Sequence, residues 1–260
     1  MILYIPLADK LISLKIDEYG RLSKKFMRNL RTTEKSSKPI FSIEIEVTNS
    51  EKPIYIQIKS PSTGIICVGK KRKSIDYHAL NFFFLTLVQF LSLKHNIILL
   101  HASAIVVDNS GHIFLGPSGA GKSTITSFIP PTSILADDCV VLKKEKREYV
   151  IYPSSFDRTK APKITCIKKN LNNIYILKKS DKTYLEKCSE EKVKNILLRS
   201  NFCYMYLRKL TRDGIAPYAF INNKNLFEWT NLLIRRVPTS LLYFQKNSSF
   251  MRLLRSVKSP

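Results

Sequence analysis

The chain has 260 residues, 44% of them apolar and 10% aromatic, which excludes a disordered or fibrous protein and allows one large domain or two small ones. It carries 43 Lys+Arg against 20 Asp+Glu, a formal charge of +23, so the expected partners are anionic: nucleic acid, anionic lipid, acidic peptide or phosphates. Compositional drift toward Lys, Asn and Ile is an equally good source of that charge. Five scattered cysteines, none at CxxC spacing, argue against a disulfide framework or a zinc site and for a reducing compartment. The first residues, Met-Ile-Leu-Tyr-Ile-Pro-Leu-Ala-Asp, lack a basic n-region, and a cytoplasmic protein is expected.

In chain order, the first third reads as β structure. Phe41–Val47 alternates apolar and polar residues, and Ile54–Lys59 largely does; each is a strand with one buried face. Ile2–Ile5, Leu11–Ile16 and Ile65–Val68 are further strands. Turn signals stand at Asn49–Pro53 and Ser60–Gly64. The basic segment Arg21–Lys38 reads as an exposed helix or loop, and Lys70–Lys73 is a second basic run. Ala79–Leu93 is the longest apolar stretch. It is interrupted by Asn81, Thr86, Gln89 and Ser92 and is shorter than the ~20 residues a membrane span needs, so a buried helix is expected. These readings divide the chain into a β-rich portion over 1–75 and a core over 76–260.

Ala104–Val107 and His112–Leu115 are short apolar runs split by the turn signal Asp108-Asn-Ser-Gly111. Immediately after them comes Gly116-Pro117-Ser118-Gly119-Ala120-Gly121-Lys122-Ser123, a complete phosphate-binding loop, followed by Thr124. Gly116 and Gly121 are expected where the backbone needs positive φ or close approach to phosphates. Lys122 then reaches the β/γ-phosphates, and the Ser123 hydroxyl holds Mg²⁺. The helix opening near Lys122 should be short, because Pro130-Pro131 cannot continue it.

Fifteen residues after Lys122, the apolar run Ile134–Ala136 ends in Asp137-Asp138. At the carboxyl end of a strand in an α/β sheet, two carboxylates can divide two tasks. One completes a Mg²⁺ shell and the other accepts a proton from an attacking hydroxyl. His101, in Leu99-Leu-His-Ala-Ser103, is by itself more readily a hydrogen-bonded core residue than a site residue. Farther on, Ile174–Leu177 and Ser240–Phe244 read as strands. Ser189–Leu198 reads as a helix with a Ser N-cap, and Phe227–Ile234 as another helix.

Leu100-His-Ala-Ser103, the loop Gly116–Ser123 and Leu135-Ala-Asp-Asp138 together resemble HPr kinase/phosphorylase. They are more similar still to its shorter stand-alone serine-kinase relatives, some of which modify lasso-peptide precursors. The resemblance is strong over about 97–142 and pattern-level over 75–96 and 150–245. It implies an α+β or α/β enzyme whose P-loop nucleotide core is of the HPr kinase and phosphoenolpyruvate carboxykinase type. The cofactors would be ATP and Mg²⁺, and the acceptor a serine of a peptide or small protein. It also implies Asp137 as the base toward that serine, Asp138 with Ser123 on the metal, and His101 approaching the catalytic aspartate. Lys122 would act on the phosphates. The Gly-rich stretch that follows the core in the bifunctional enzymes has no counterpart here, which argues against HPr as acceptor and against the reverse reaction. Arg158, Arg208 and Arg212 are the candidate arginines for transition-state charge. The alternatives are a P-loop NTPase and a nucleotide-switched nucleic-acid-binding protein using the patches Arg21–Lys38, Lys70–Lys73 and Arg235–Lys258. The number of subunits, a homo-oligomer included, stays open.

Overall fold

The structure, a computed structural model, describes residues 1–16, 26–27, 30, 32–49, 54–69, 77–156, 168–205, 223–247 and 249–256. The basic run at 70–73, residues 21–25, 28–29 and 31 of the 21–38 segment, Cys166, Arg158, Arg208 and Arg212 lie outside the described residues.

The first 69 residues supply one five-stranded sheet, ordered β1 (Ile2–Leu7), β2 (Lys10–Ile16), β3 (Phe41–Thr48), β5 (Thr63–Gly69) and β4 (Ile54–Ser60). β1–β2 and β4–β5 are antiparallel pairs, and β2–β3 and β3–β5 are parallel. In β3 the alternation read from the sequence becomes real burial, with Phe41, Ile43 and Ile45 inside and Ser42, Glu44 and Glu46 half-buried on the other face. That inner face packs on α1 (Tyr77–Ser92). No helix among the described residues is long and apolar enough to cross a membrane.

The helix α1 is buried because it has a sheet on each side. Leu80, Phe84, Leu87 and Leu91 belong to one apolar cluster with Ile5, Ile12 and Ile43 of the first sheet and Ile97, Leu99, Val141 and Val150 of the second. The hydrophobic interior therefore runs unbroken across position 75.

Among the described residues the second sheet has nine strands. Its main path is β6 (Ile97–Leu100), β10 (Val140–Glu145), β11 (Glu148–Tyr152), β12 (Lys169–Lys179), β8 (Ser110–Leu115), β7 (Ser103–Val107) and β9 (Ile134–Ala136). Beside β12 lies β14 (Thr239–Phe244), which also pairs with β13 (Tyr184–Lys187). β6 is buried on both faces: Ile97 and Leu99 point to the α1 side, while Ile98 and Leu100 join a cluster on the other side. That explains its unbroken apolar run, Ile-Ile-Leu-Leu. The other side is covered by α3 (Glu190–Ser200) and α4 (Asn223–Arg236). Ser189 occupies the N-cap position of α3 as expected, but its side chain makes no capping hydrogen bond.

Three strands decide where a ligand can sit. β12 runs parallel to β8 on one side and to β14 on the other, so all three end on the same edge of the sheet. β7 and β8 form a tight hairpin in which Val107 faces Ser110, with Asp108 (φ 46°) and Asn109 (φ 66°) as the two turn residues. Two successive left-handed residues match the right-handed twist of the flanking strands, which is why Asp-Asn serves here.

Within this set His112 of β8 is 2% exposed and stacks on Tyr175 of β12 at 5.9 Å. Burial pushes its pKa down to about 4, against the pull of Asp108 and a backbone hydrogen bond at Val107. The imidazole is therefore neutral in the folded chain at neutral pH, and the unfolded chain takes up the proton first. The associated stability is fully present above the ordinary value of 6.5 and is lost as pH falls toward 4. Denaturant titrations across that window should show a loss of roughly 3 kcal/mol from this group. In His112→Phe, which keeps an aromatic ring on Tyr175, that part of the slope should disappear. An unchanged slope would mean that other groups set the acid limit.

Candidate active site at the carboxyl ends of the parallel strands

The loop after β8 turns through two left-handed glycines. Gly119 (φ 77°) and Gly121 (φ 107°) are both in the left-handed region. Alternation of hand over such a turn is what lines up successive N–H groups as an anion cradle. At Gly121 a Cβ would also lie 2.5 Å from Cζ of Phe244. Gly116 differs from expectation: its backbone is not left-handed, and glycine is needed there because a Cβ would come within 2.6 Å of the Ala120 Cβ. The loop then opens α2 (Lys122–Ser127), six residues long, which ends ahead of Pro130 as the sequence requires.

Lys122 is 7% exposed, and its ammonium donates to the carbonyls of Gly116 (2.9 Å) and Pro117 (3.2 Å). Burial lowers its pKa, while the carboxylates of Asp138 and, less strongly, Asp137 hold it up. A buried cation folded onto carbonyls of its own loop is poised to exchange them for a stronger acceptor.

The two aspartates that follow β9 part company. Thr126 of α2 donates through Oγ1 to Asp137 Oδ1 at 2.8 Å, with the Ser123 carbonyl a longer alternative at 3.2 Å. Asp138 instead meets His101, whose Nδ1 lies 3.2 Å from both Asp138 Oδ1 and the Asp138 carbonyl. The expectation that His101 approaches Asp137 is thus corrected: its aspartate is Asp138. One carboxylate therefore faces the α2 helix and the other the histidine.

His101 is fixed from behind. Its N–H donates to the Ser200 carbonyl at 2.7 Å, and its ring stands edge-on to Phe202. Below it, the fully buried Gln89 of α1 accepts from Leu99 N–H and from Asn201 Nδ2, and Asn201 Oδ1 accepts from Cys203 N–H. This buried network joins α1, β6 and the end of α3 directly beneath the histidine. The polar interruptions of the apolar helix thus have a structural use at Gln89.

A cavity of about 470 Å³ collects these groups. His101 and Asp138 line it on one side, and Ser118, Gly119 and Gly121–Thr124 on the other. Gly116, Pro117, Ala120 and Asp137 shape its surroundings without lining it. Two further lining residues, Lys179 and Lys246, escaped the sequence reading. They stand at the end of β12 and just past β14, beside the loop that follows β8. Both strands were visible in the sequence, but their parallel pairing to β8 was not. With the candidate arginines outside the described residues, these lysines are the added cations of the cavity.

The residues present fit a phosphate chain with Mg²⁺. The left-handed turn with its glycine-only approaches suits the anion. The exposed Ser123 hydroxyl and a carboxylate of the Asp137–Asp138 pair are hard oxygen donors of the kind Mg²⁺ takes beside phosphates and water. Among the described residues no group of three or more His, Cys, Asp or Glu gathers into an all-protein metal cage.

Among solved structures the chain is similar to the Hpr(Ser) kinase/phosphatase from Coxiella burnetii. The TM-score is 0.32 at 14% identity, over 61% of this chain and 87% of that one. A likeness at that level transfers no role to any residue. No protein-family model matches the chain, and no curated protein matches it by sequence.

Proposed function

We propose that the chain is an ATP-dependent kinase that transfers the γ-phosphate to a serine hydroxyl of a peptide or small protein, with Mg²⁺ as its metal. The observation that carries this reading is the meeting of Lys122 and Ser123 with the His101–Asp138 pair across one cavity. Bound ATP–Mg²⁺ supplies the activated phosphoryl group. The loop N–H groups and Lys122 would hold and neutralise the phosphates, and Lys179 and Lys246 would add positive charge where negative charge builds. Asp138 would take the serine proton, with His101 fixing its orientation. The metal-side acid is then Asp137, held by Thr126 next to Ser123. This exchanges the roles the resemblance implies for the two aspartates, on the strength of the His101 contact. The excess of basic side chains suits an acceptor rich in acids.

The test is phosphotransfer from Mg-ATP to a panel of serine peptides, HPr and free serine, read by mass spectrometry. Serine phosphorylation by the native chain, lost in Lys122→Ala, is the expected result. ATP hydrolysis without any acceptor product would replace the kinase with an NTPase.

A further inference from the structure

The histidine of the site is not held by its own strand alone. Two of its neighbours come from the segment that leaves α3: the Ser200 carbonyl takes its N–H at 2.7 Å, and Phe202 stands edge-on to its ring. That segment has an anchor of its own in α1. Gln89, fully buried, accepts through Oε1 from Asn201 Nδ2 at 2.8 Å and from Leu99 N–H, so a single oxygen ties the segment to β6 just ahead of His101. We propose that Gln89 and Asn201 are positioning residues, which hold the His101 ring against Asp138 from a helix none of whose described residues lines the cavity. The inference rests on the reading of His101 and Asp138 as the proton-accepting pair, and adds what keeps that pair closed.

The bonding pattern favours position over packing. A buried amide is unfavourable unless it is hydrogen-bonded, and an apolar side chain of equal length would fill the same space. Only half of this amide is used, because Gln89 Nε2 is buried with no partner among the described residues. What the fold retains is one acceptor shared by donors that lie 102 residues apart. Asn201 spends its other bonds on the same junction. Its Nδ2 also reaches the Leu99 carbonyl at 3.3 Å, and its Oδ1 accepts from Cys203 N–H at 3.0 Å.

The helix is itself pinned to the strand, since Ser92 Oγ lies 3.0 Å from the Gln89 carbonyl and 3.1 Å from that of Ile97. On its far edge β6 pairs with β10 in the register Leu100–Val140, which leaves Asp138 just beyond the paired residues. A shift of Ser200–Phe202 would therefore move two anchors of His101 at once while Asp138 stays with β10. A misplacement of about 1 Å in a reacting group is enough to lower a rate on the order of 10²-fold.

The experiment reads the ring nitrogens of His101 by nitrogen-15 NMR at one pH, with ATP affinity from calorimetry and phosphotransfer to the serine-peptide panel alongside. Asp138→Ala supplies the signal of a His101 without its carboxylate. Gln89→Met removes the acceptor at constant length. It should move the His101 signal at least halfway to that reference and leave His95 and His112 unmoved. It should also lower kcat roughly 10–100-fold with ATP affinity held within about twofold. Asn201→Asp keeps the acceptor for Cys203 N–H and loses the donor to Gln89; it breaks the link a second way and should act alike, even where Gln89→Met does not fold. Gln89→Glu retains an oxygen and should restore the signal and most of the rate. Thr86→Val changes another buried side chain of α1, whose hydroxyl bonds to the Phe82 carbonyl of its own helix, and should leave both readings native.

A His101 signal that stays native in both link variants, or that moves as far in Thr86→Val, would overturn the inference and make the network structural only. A displaced signal with unchanged kcat would overturn it as well. If the signals respond as expected but the native chain phosphorylates no acceptor, the link is established and the kinase reading fails.

Discussion

Asp138→Asn should lower the rate of phosphotransfer by ~10²–10⁴-fold while the ATP dissociation constant moves little. That is the range a positioned general base contributes. Asparagine keeps the size of the side chain and can still meet His101, so the histidine and the strand end stay in place and only the proton acceptor is lost. Asp137→Asn should cost less, roughly 10–100-fold, and should act through metal dependence, because its partner is Thr126 and not the cavity. Single-turnover rates over a Mg²⁺ series separate the two cases. A larger loss in Asp137→Asn, insensitive to Mg²⁺, would restore Asp137 as the base. The 3.2 Å contact between His101 and Asp138 would then be structural.

Gly121→Ala should damage binding and stability together. The residue sits at φ 107°, where an L side chain is strained by about 1–3 kcal/mol, and its new Cβ would lie 2.5 Å from Cζ of Phe244. Phe244 cannot easily yield. It packs against Phe250 and belongs to the cluster that anchors α5 (Phe250–Ser256) over the sheet. The expected result is a drop of about 2–4 kcal/mol in unfolding free energy and loss of measurable tripolyphosphate binding. Adding Phe244→Leu should recover part of the stability by removing the clash. It should not recover binding, because the left-handed requirement remains. Full retention of tripolyphosphate affinity in Gly121→Ala would show that anions do not bind the loop in this conformation.

Legibility in the sequence follows how local each determinant is. The alternation in Phe41–Val47 and the Asp108–Asn109 turn are short-range patterns, and each folds as its pattern requires. After residue 143 the reading thins. β11, β13 and α5 went unassigned, since each is only four to seven residues long and takes its burial from neighbours distant in sequence. Ser189 shows the converse case: the residue type fits the N-cap, but the side chain does not bond there.

The sequence by itself determined the glycine-rich loop, the clipped helix after it, and the presence of a histidine and two aspartates at strand ends. Contiguous residues carry those features through backbone torsions, proline geometry and apolar period. Only the tertiary structure decided which aspartate His101 meets, because His101 and Asp138 lie 37 residues apart in sequence and the packing of the strand ends brings them together. It also decided that Lys179 and Lys246 line the cavity. They stand at the end of β12 and just past β14, more than 50 residues beyond the loop, and the parallel pairing of β8, β12 and β14 is a long-range choice that no local pattern encodes.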